Sequence, residues 1–221
     1  MAIKDSVLNT QDNTRVFGML AAKAGVGKTT QATTFPKDQT RIISAEEGLL
    51  SLAGSGFKVT SVDTFEDILT VLKTKKEKYI IIDSLTEIYE KISEGARDKF
   101  TPSQNFQKFS EINYQMFHVI KTAKFMRDRN IFFICHTKED KNGLVLEENL
   151  CFDGKLPEQV KKEFDLIVHM QMDKEGNRRF ATSPKVSKIA KARVSPWLNV
   201  TINDYEEANL FALVNKLTGV K

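Results

Sequence analysis

The sequence predicts an α/β fold: a mostly parallel sheet flanked by helices, with antiparallel strands added near the C-terminus. Three observations carry that expectation. Strand-like and helix-like segments alternate through the first 136 residues. Two short apolar runs, Tyr79 to Ile82 (YIII) and Asn130 to Cys135 (NIFFIC), have the character of strands buried on both faces. A small-residue stretch containing glycines, Ala22 to Thr30, joins a first apolar segment to a helical one.

Each element follows from local chemistry. Thr14 to Ala21 (TRVFGMLA) is apolar and β-compatible and reads as the first strand. Lys28 to about Thr34 begins a helix, which Pro36 stops. Arg41 to Ala45 is a second strand, and the alternation of Phe57 to Val62 suggests a third. Thr64 with Asp67 three residues later is a capping pattern, and Ile68, Leu69 and Leu72 form one helical face. After YIII and Asp83 a helix starts near Leu85, Gly95 to Phe106 reads as a loop, and Gln107 to Arg129 as one long helix. Beyond NIFFIC, Thr137 to Phe152 is polar and reads as loop or hairpin, and Pro157 to Phe164 as a short helix. Asp165 to Met170 and Arg178 to Thr182 are strands flanking Glu175-Gly176-Asn177, and Asn203 to Leu217 is an amphipathic helix. No repeat or biased linker interrupts the chain. The expectation is one domain over 1–221, with its core at about 14–200 and a C-terminal helix at about 203–217.

Composition narrows the class. The chain has 221 residues, 41% hydrophobic and 28% charged, which suits a soluble globular protein with a core that needs no metal or disulfide staple. Two cysteines, Cys135 and Cys151, argue against a disulfide scaffold and for a reducing cytoplasm. No apolar run approaches the roughly 18 residues of a membrane span, and the first residues carry no apolar signal region. A cytoplasmic protein without a membrane partner is expected. Seven basic residues and one acid lie between Lys174 and Arg193, a net +6 in a chain of net +4, so the remainder is net −2. Such a local excess is either a solvated face or a site for phosphate.

The most specific motif is Ala22-Lys23-Ala24-Gly25-Val26-Gly27-Lys28-Thr29, which matches G-x-x-x-x-G-K-[ST] except that Ala22 replaces the first glycine. Backbone amides of such a loop converge on an anion, and glycines give the conformational freedom and space that convergence requires. Ala24, Gly25, Val26, Gly27, Lys28, Thr29 and Thr30 are therefore the expected nucleotide-binding residues. Lys28 would sit near the β- and γ-phosphates, and Thr29 would offer its hydroxyl to Mg²⁺. Asp83, at the end of a buried strand, supplies the carboxylate that such a metal site needs opposite Thr29, although a helix N-cap role suits the same position. ATP and Mg²⁺ are the expected cofactors. Cysteine and histidine spacings fit no zinc site.

Three families share this loop. In the deviant-Walker partition and positioning ATPases it reads K-G-G-V-G-K-T, one residue from Lys23-Ala24-Gly25-Val26-Gly27-Lys28-Thr29, and Lys23 would then reach a dimer partner's phosphates. Their Asp-rich segment after the second strand has no counterpart in Ile43-Ser44-Ala45-Glu46-Glu47-Gly48. Thr137-Lys138-Glu139-Asp140 matches the guanine-reading pattern of GTPases, but Asp83-Ser84-Leu85-Thr86 lacks their D-x-x-G glycine. The RecA-like ATPases fit at three places. Arg41-Ile42-Ile43-Ser44-Ala45-Glu46 resembles their second core strand, Tyr79 to Thr86 resembles their Walker B, and Phe132-Phe133-Ile134-Cys135-His136 resembles their sensor strand. Within that group the chain resembles the small phage-encoded Sak-type single-strand annealing and recombination proteins over roughly residues 14 to 200. It shares with them a late Ala-Lys-x-Arg element, Ala190-Lys191-Ala192-Arg193.

That resemblance implies a RecA-like core in which Lys28, Glu46, Asp83 and His136 are catalytic. Glu46 would orient the attacking water, and His136 would sense the γ-phosphate. Lys188, Lys191 and Arg193 would act either on a neighbouring subunit's nucleotide or on DNA. It further implies single-stranded DNA as a partner, self-association into a ring or filament, a single-strand-binding protein as a further partner, and a host cytoplasm. The DNA would meet about Gly95 to Phe106 and Thr137 to Lys155, which contain Arg97, Lys99, Phe100, Phe106, Lys138, Lys141 and Lys155. The alternative kept beside this reading is a partition or positioning ATPase that works as a nucleotide-switched dimer.

Overall fold

A computed structural model describes residues 15–46, 50–142, 145–194 and 200–219. Thr14 of the expected first strand, Glu47 and Gly48, and the outer ends of the expected domain lie outside the described residues, as does the side chain of Lys141.

The elements are β1 (Phe17–Ala22), β2 (Thr40–Ser44), β3 (Lys58–Ser61), α1 (Phe65–Thr74), β4 (Tyr79–Asp83), α2 (Leu85–Lys99), α3 (Asn105–Phe125), β5 (Asn130–Asn142), β6 (Val145–Leu150), α4 (Leu156–Glu163), β7 (Leu166–Met172), β8 (Arg178–Ala181), β9 (Lys191–Ala192), β10 (Tyr205–Glu207) and α5 (Leu210–Thr218). The strands form one sheet in the order β10-β8-β7-β1-β5-β4-β2-β3, with β6 paired to β5 and β9 to β7. From β7 to β3 every neighbour on that path is parallel. The pairings made by β6, β8, β9 and β10 are antiparallel. This is the mostly parallel, helix-flanked sheet with antiparallel additions of a P-loop NTPase fold.

Strand alternation divides the core between the two sheet faces. Phe17, Met19 and Ala21 of β1 pack into one cluster with α1, α2, α3 and α4, while Leu20 and Ala22 join α5 and Ala32 in the other. Gly18 faces the second cluster, where a Cβ would come within 2.3 Å of the Phe132 ring, so only glycine fits beneath that ring. On the first face Phe17 stacks on Phe164 with ring centroids 4.8 Å apart. Thr64 and Asp67 form a reciprocal capping box at the start of α1, as the sequence predicts. No described helix is long and apolar enough to cross a membrane.

Several boundaries depart from expectation. The segment after Lys28 forms a 3-10 helix at Thr29–Thr34 and not an α-helix. Its hydroxyls turn back onto nearby carbonyls (Thr30 to Gly27, Thr33 to Thr30, Thr34 to Gln31), a competition that tightens the turn. The loop expected from Gly95 is helical as far as Lys99, because Ile92 and Ala96 bury on the core side and outweigh the ~1 kcal/mol cost of a helical glycine. The long helix runs Asn105–Phe125 and stops before Arg129. Strand β5 continues past Cys135 to Asn142 because β6 pairs with its outer half. The C-terminal helix begins at Leu210, capped by the Asn209 side chain, since Tyr205–Glu207 is drawn into the sheet edge by β8.

Candidate nucleotide site

Four strand tips meet at one edge of the sheet. Ala22 of β1 lies in register with His136 of β5, and Ser44 of β2 with Asp83 of β4. The glycine loop leaves β1 there. Gly25 and Gly27 hold φ values of 76° and 97°, where an L side chain is strained, which is what an amide-lined turn needs. Because the following helix is a short 3-10 turn, the loop amides and Lys28 carry more of the anion attraction than a helix dipole would.

Lys28 is only 5% exposed. Its ammonium donates to the Lys23 carbonyl at 2.9 Å and lies 3.2 Å from His136 Nδ1. Burial lowers its pKa, and the carboxylates of Asp83 and Glu46 oppose that shift. The Thr29 hydroxyl donates to Asp83 Oδ2 at 2.6 Å, although the strands that carry the two approaches are separated by β5. Asp83 is 1% exposed. Burial pushes its pKa up to about 6, with the Thr29 hydrogen bond acting in the opposite direction. The helix N-cap is its neighbour Ser84, which accepts from the Glu87 amide, so Asp83 is free of capping duty. Two oxygen donors, one hydroxyl and one under-compensated carboxylate, fit a hard divalent cation. Thr29 and Asp83 would hold Mg²⁺, which when bound neutralises charge on the phosphate oxygens.

Glu46 follows β2 and meets the site from the other side. His136 Nε2 lies 3.3 Å from Glu46 Oε1, so the imidazole stands between the Lys28 ammonium and the Glu46 carboxylate. The His136 hydrogen bond holds Glu46 below the usual carboxylate range, which keeps it ionised at neutral pH. The His136 amide donates to Thr86 Oγ1 at 2.9 Å, tying the tip of β5 to α2. Beside these groups lies an open cavity of about 670 Å³ lined by Ala24, Glu46, Ser84, Thr86, His136 and Thr137, among others. A terminal phosphate entering between Lys28 and Glu46 would meet a cation, a hydrogen-bonding imidazole and a carboxylate able to align water.

Among the described residues, Lys188, Lys191 and Arg193 make their polar contacts outside this cluster. Lys188 pairs with Glu147. The Lys191 ammonium donates to the carbonyls of Lys161 and Lys162 at the end of α4, at 2.9 and 3.4 Å. Arg193 lies 3.6 Å from Asp165. Lys23 pairs with Glu139 of its own chain.

Two further residues were not singled out from sequence. Arg178, at the start of β8, brings its guanidinium carbon to 3.2 Å from where a Gly27 Cβ would stand, so it lies against the phosphate loop. Its only sequence signal was membership of the basic window. Gln31 accepts from the Leu210 amide and donates to the Ala208 carbonyl, both at 3.1 Å, binding the phosphate-loop helix to α5 across nearly the whole chain. No sequence signal marks a pairing so remote.

A family model described as an AAA domain matches residues 14–194. A search of curated proteins finds no match. The matched stretch begins just before β1 and ends just after β9, taking in the glycine loop, Glu46, Asp83 and His136. With a phosphate loop, a paired Thr29 and Asp83, and a family match over most of its length, the chain belongs to the AAA domain family of P-loop ATPase-like proteins.

Proposed function

We propose that the chain is a Mg²⁺-dependent ATPase with a RecA-like core that acts on single-stranded DNA in phage-type recombination or strand annealing. The observation that carries the reading is the placement of His136 between Lys28 and Glu46 at the tip of β5. That strand continues without a break into the outer pairing with β6, where Lys138 sits. Loss of the terminal phosphate would release Lys28 and His136 together, and β5 offers a direct mechanical route from that event to the β5–β6 hairpin that carries Lys138. The hairpin is one of the two segments assigned to DNA by resemblance.

In this reading Glu46 orients the water, Lys28 balances charge on the phosphates, and Thr29 and Asp83 hold the metal. Lys188, Lys191 and Arg193 remain candidates for a neighbour's nucleotide or for DNA, in a ring or filament. The Lys23–Glu139 pair within one chain favours this reading over the nucleotide-switched dimer, where Lys23 must be available to a partner.

The test is ATP turnover with and without single-stranded DNA, alongside Glu46→Gln. Stimulation by DNA and a loss of about 10²–10³ in turnover with ATP affinity retained in Glu46→Gln are expected. Full turnover in Glu46→Gln would remove Glu46 from the mechanism. Turnover indifferent to DNA, together with an ATP-dependent dimer abolished by Lys23→Ala, would favour the partition-type alternative.

A further inference from the structure

We infer that the outer face of α3 is a self-complementary interface that pairs two copies of this chain, helix against antiparallel helix, around a two-fold axis. The inference does not rest on the nucleotide site.

Helix α3 buries Ile112, Met116, Val119, Ile120 and Ala123 against the sheet. Its opposite side should be polar in a monomer. It carries instead Phe106, Tyr114 and Phe125, exposed by 84%, 62% and 74%, with the half-buried Phe117 between them. A row of exposed aromatic rings along about 30 Å of helix is far more than the scattered apolar residues of an ordinary surface.

The placement of these rings names the occupant. Phe106 and Phe125 lie equally far from the point between Gln115 and Met116, and so do Tyr114 and Phe117. An antiparallel copy centred on that point sets Phe106 against Phe125 of the second copy and Tyr114 against its Phe117, every contact made twice, as an isologous interface requires. Ser110 and Lys121 stand in the same relation, so Lys121 meets a serine hydroxyl and not its own counterpart. The one acidic residue of the helix, Glu111, is occupied by Lys99 and Gln115.

The area suffices. At roughly 200 Å² for a full aromatic side chain, the exposures of Phe106, Tyr114 and Phe125 give about 440 Å² per copy and about 880 Å² for two. Phe117, His118 and Ser110 carry that past the ~1,000 Å² that a specific interface needs. The strip is rich in aromatic residues and poor in charge, the composition of an interface centre. A nucleic acid would need more cations than Lys108 and Lys121 to neutralise its phosphates, which disfavours it as the occupant.

Sedimentation velocity without nucleotide tests the pairing. The full chain should sediment at twice 25.1 kDa, about 50 kDa, at tens of micromolar. Phe106→Lys and Phe125→Glu, both at exposed positions, should each weaken dimerisation about tenfold or more while circular dichroism stays unchanged. The double variant Phe106→Lys/Phe125→Glu should recover much of the loss, because antiparallel pairing sets the new lysine against the new glutamate. A wild-type mass of one chain at about 100 µM would overturn the proposal. Failure of the double variant to recover would overturn the antiparallel geometry. A labelled oligothymidylate whose binding is lost in the single variants, with the mass unchanged from wild type, would overturn the second copy as occupant and make the face a nucleic-acid platform.

Discussion

At the scale of single residues, Asp83 shows how burying a carboxylate costs stability. Its pKa of about 6 lies above the ordinary carboxylate value, so between about pH 4 and pH 6 the folded chain keeps a proton that the unfolded chain has released. Stability therefore falls as pH rises through that window and stays lower above it. Two units correspond to roughly 3 kcal/mol at most. Asp83→Asn, measured with a chelator present, should therefore raise the melting temperature at pH 7 by several degrees, at ~2–4 °C per kcal/mol, and the gain should vanish below pH 4. Mg²⁺ and ATP together should stabilise the wild type and leave Asp83→Asn much less affected. A variant no more stable than wild type at pH 7 would show that the Thr29 hydrogen bond already compensates the buried charge. Arg178 makes a second residue-scale case. Its guanidinium lies against Gly27, so it can meet a phosphate that the loop cradles. Arg178→Ala should weaken ATP binding by about tenfold, a loss within the range of one charge-assisted contact, as read by a fluorescent nucleotide analogue. Equal affinity would place the guanidinium outside the nucleotide's reach.

At the scale of elements, the phosphate-loop helix and α5 are one mechanical unit. Gln31 is buried and bonds both the Ala208 carbonyl and the Leu210 amide, and Thr34 accepts from the Phe211 amide. Gln31→Ala leaves the α5 start without its partner and should cost about 1–3 kcal/mol, read as a lower melting temperature, with ATP affinity falling in step as the loop loses its support. An unchanged melting temperature would mean that water replaces the glutamine. This pairing also marks where the sequence stops being readable. The buried runs around Ile81 and Phe133 announced their strands, and the Thr64–Asp67 spacing announced a helix start, because each signal is local. The glycine loop and Asp83 stand out in the sequence because a phosphate site would demand those residue types at strand ends, and the fold brings Thr29 and Asp83 into contact. The helix runs on past Gly95 because tertiary packing overrides a weak breaker, whereas the long helix stops at Phe125, short of Arg129, with no glycine or proline to mark the end. The 3-10 character after Lys28 was hidden in three threonine hydroxyls that compete with the helix ladder. Arg178 and Gln31 act across distances that no window of sequence spans.

At the scale of the whole molecule, the question is how much of the basic window is available to a partner. Sequence counts seven cations between Lys174 and Arg193. The fold employs five of them. Lys188 pairs with Glu147, Lys191 caps the carbonyl end of α4, and Arg193 faces Asp165. Arg179 lies over the Tyr205 ring at 4.0 Å, and Arg178 rests on the phosphate loop. Lys174 and Lys185 have no ion pair among the described residues. Single-strand binding loses about 0.7 in log affinity per tenfold rise in salt for each phosphate neutralised, so seven free cations would give a slope near ~−5 and two a slope near ~−1.4. The expected slope for this window is therefore shallow, and titrating a fluorescent oligonucleotide across a fourfold range of salt measures it. Lys174→Ala with Lys185→Ala should remove most of that dependence, whereas Lys191→Ala should lower the melting temperature and leave the slope unchanged. A slope near −5 in the wild type would mean that DNA draws Lys188, Arg193 and their neighbours away from their partners, and the window would then be a phosphate track held in reserve by the chain's own carboxylates.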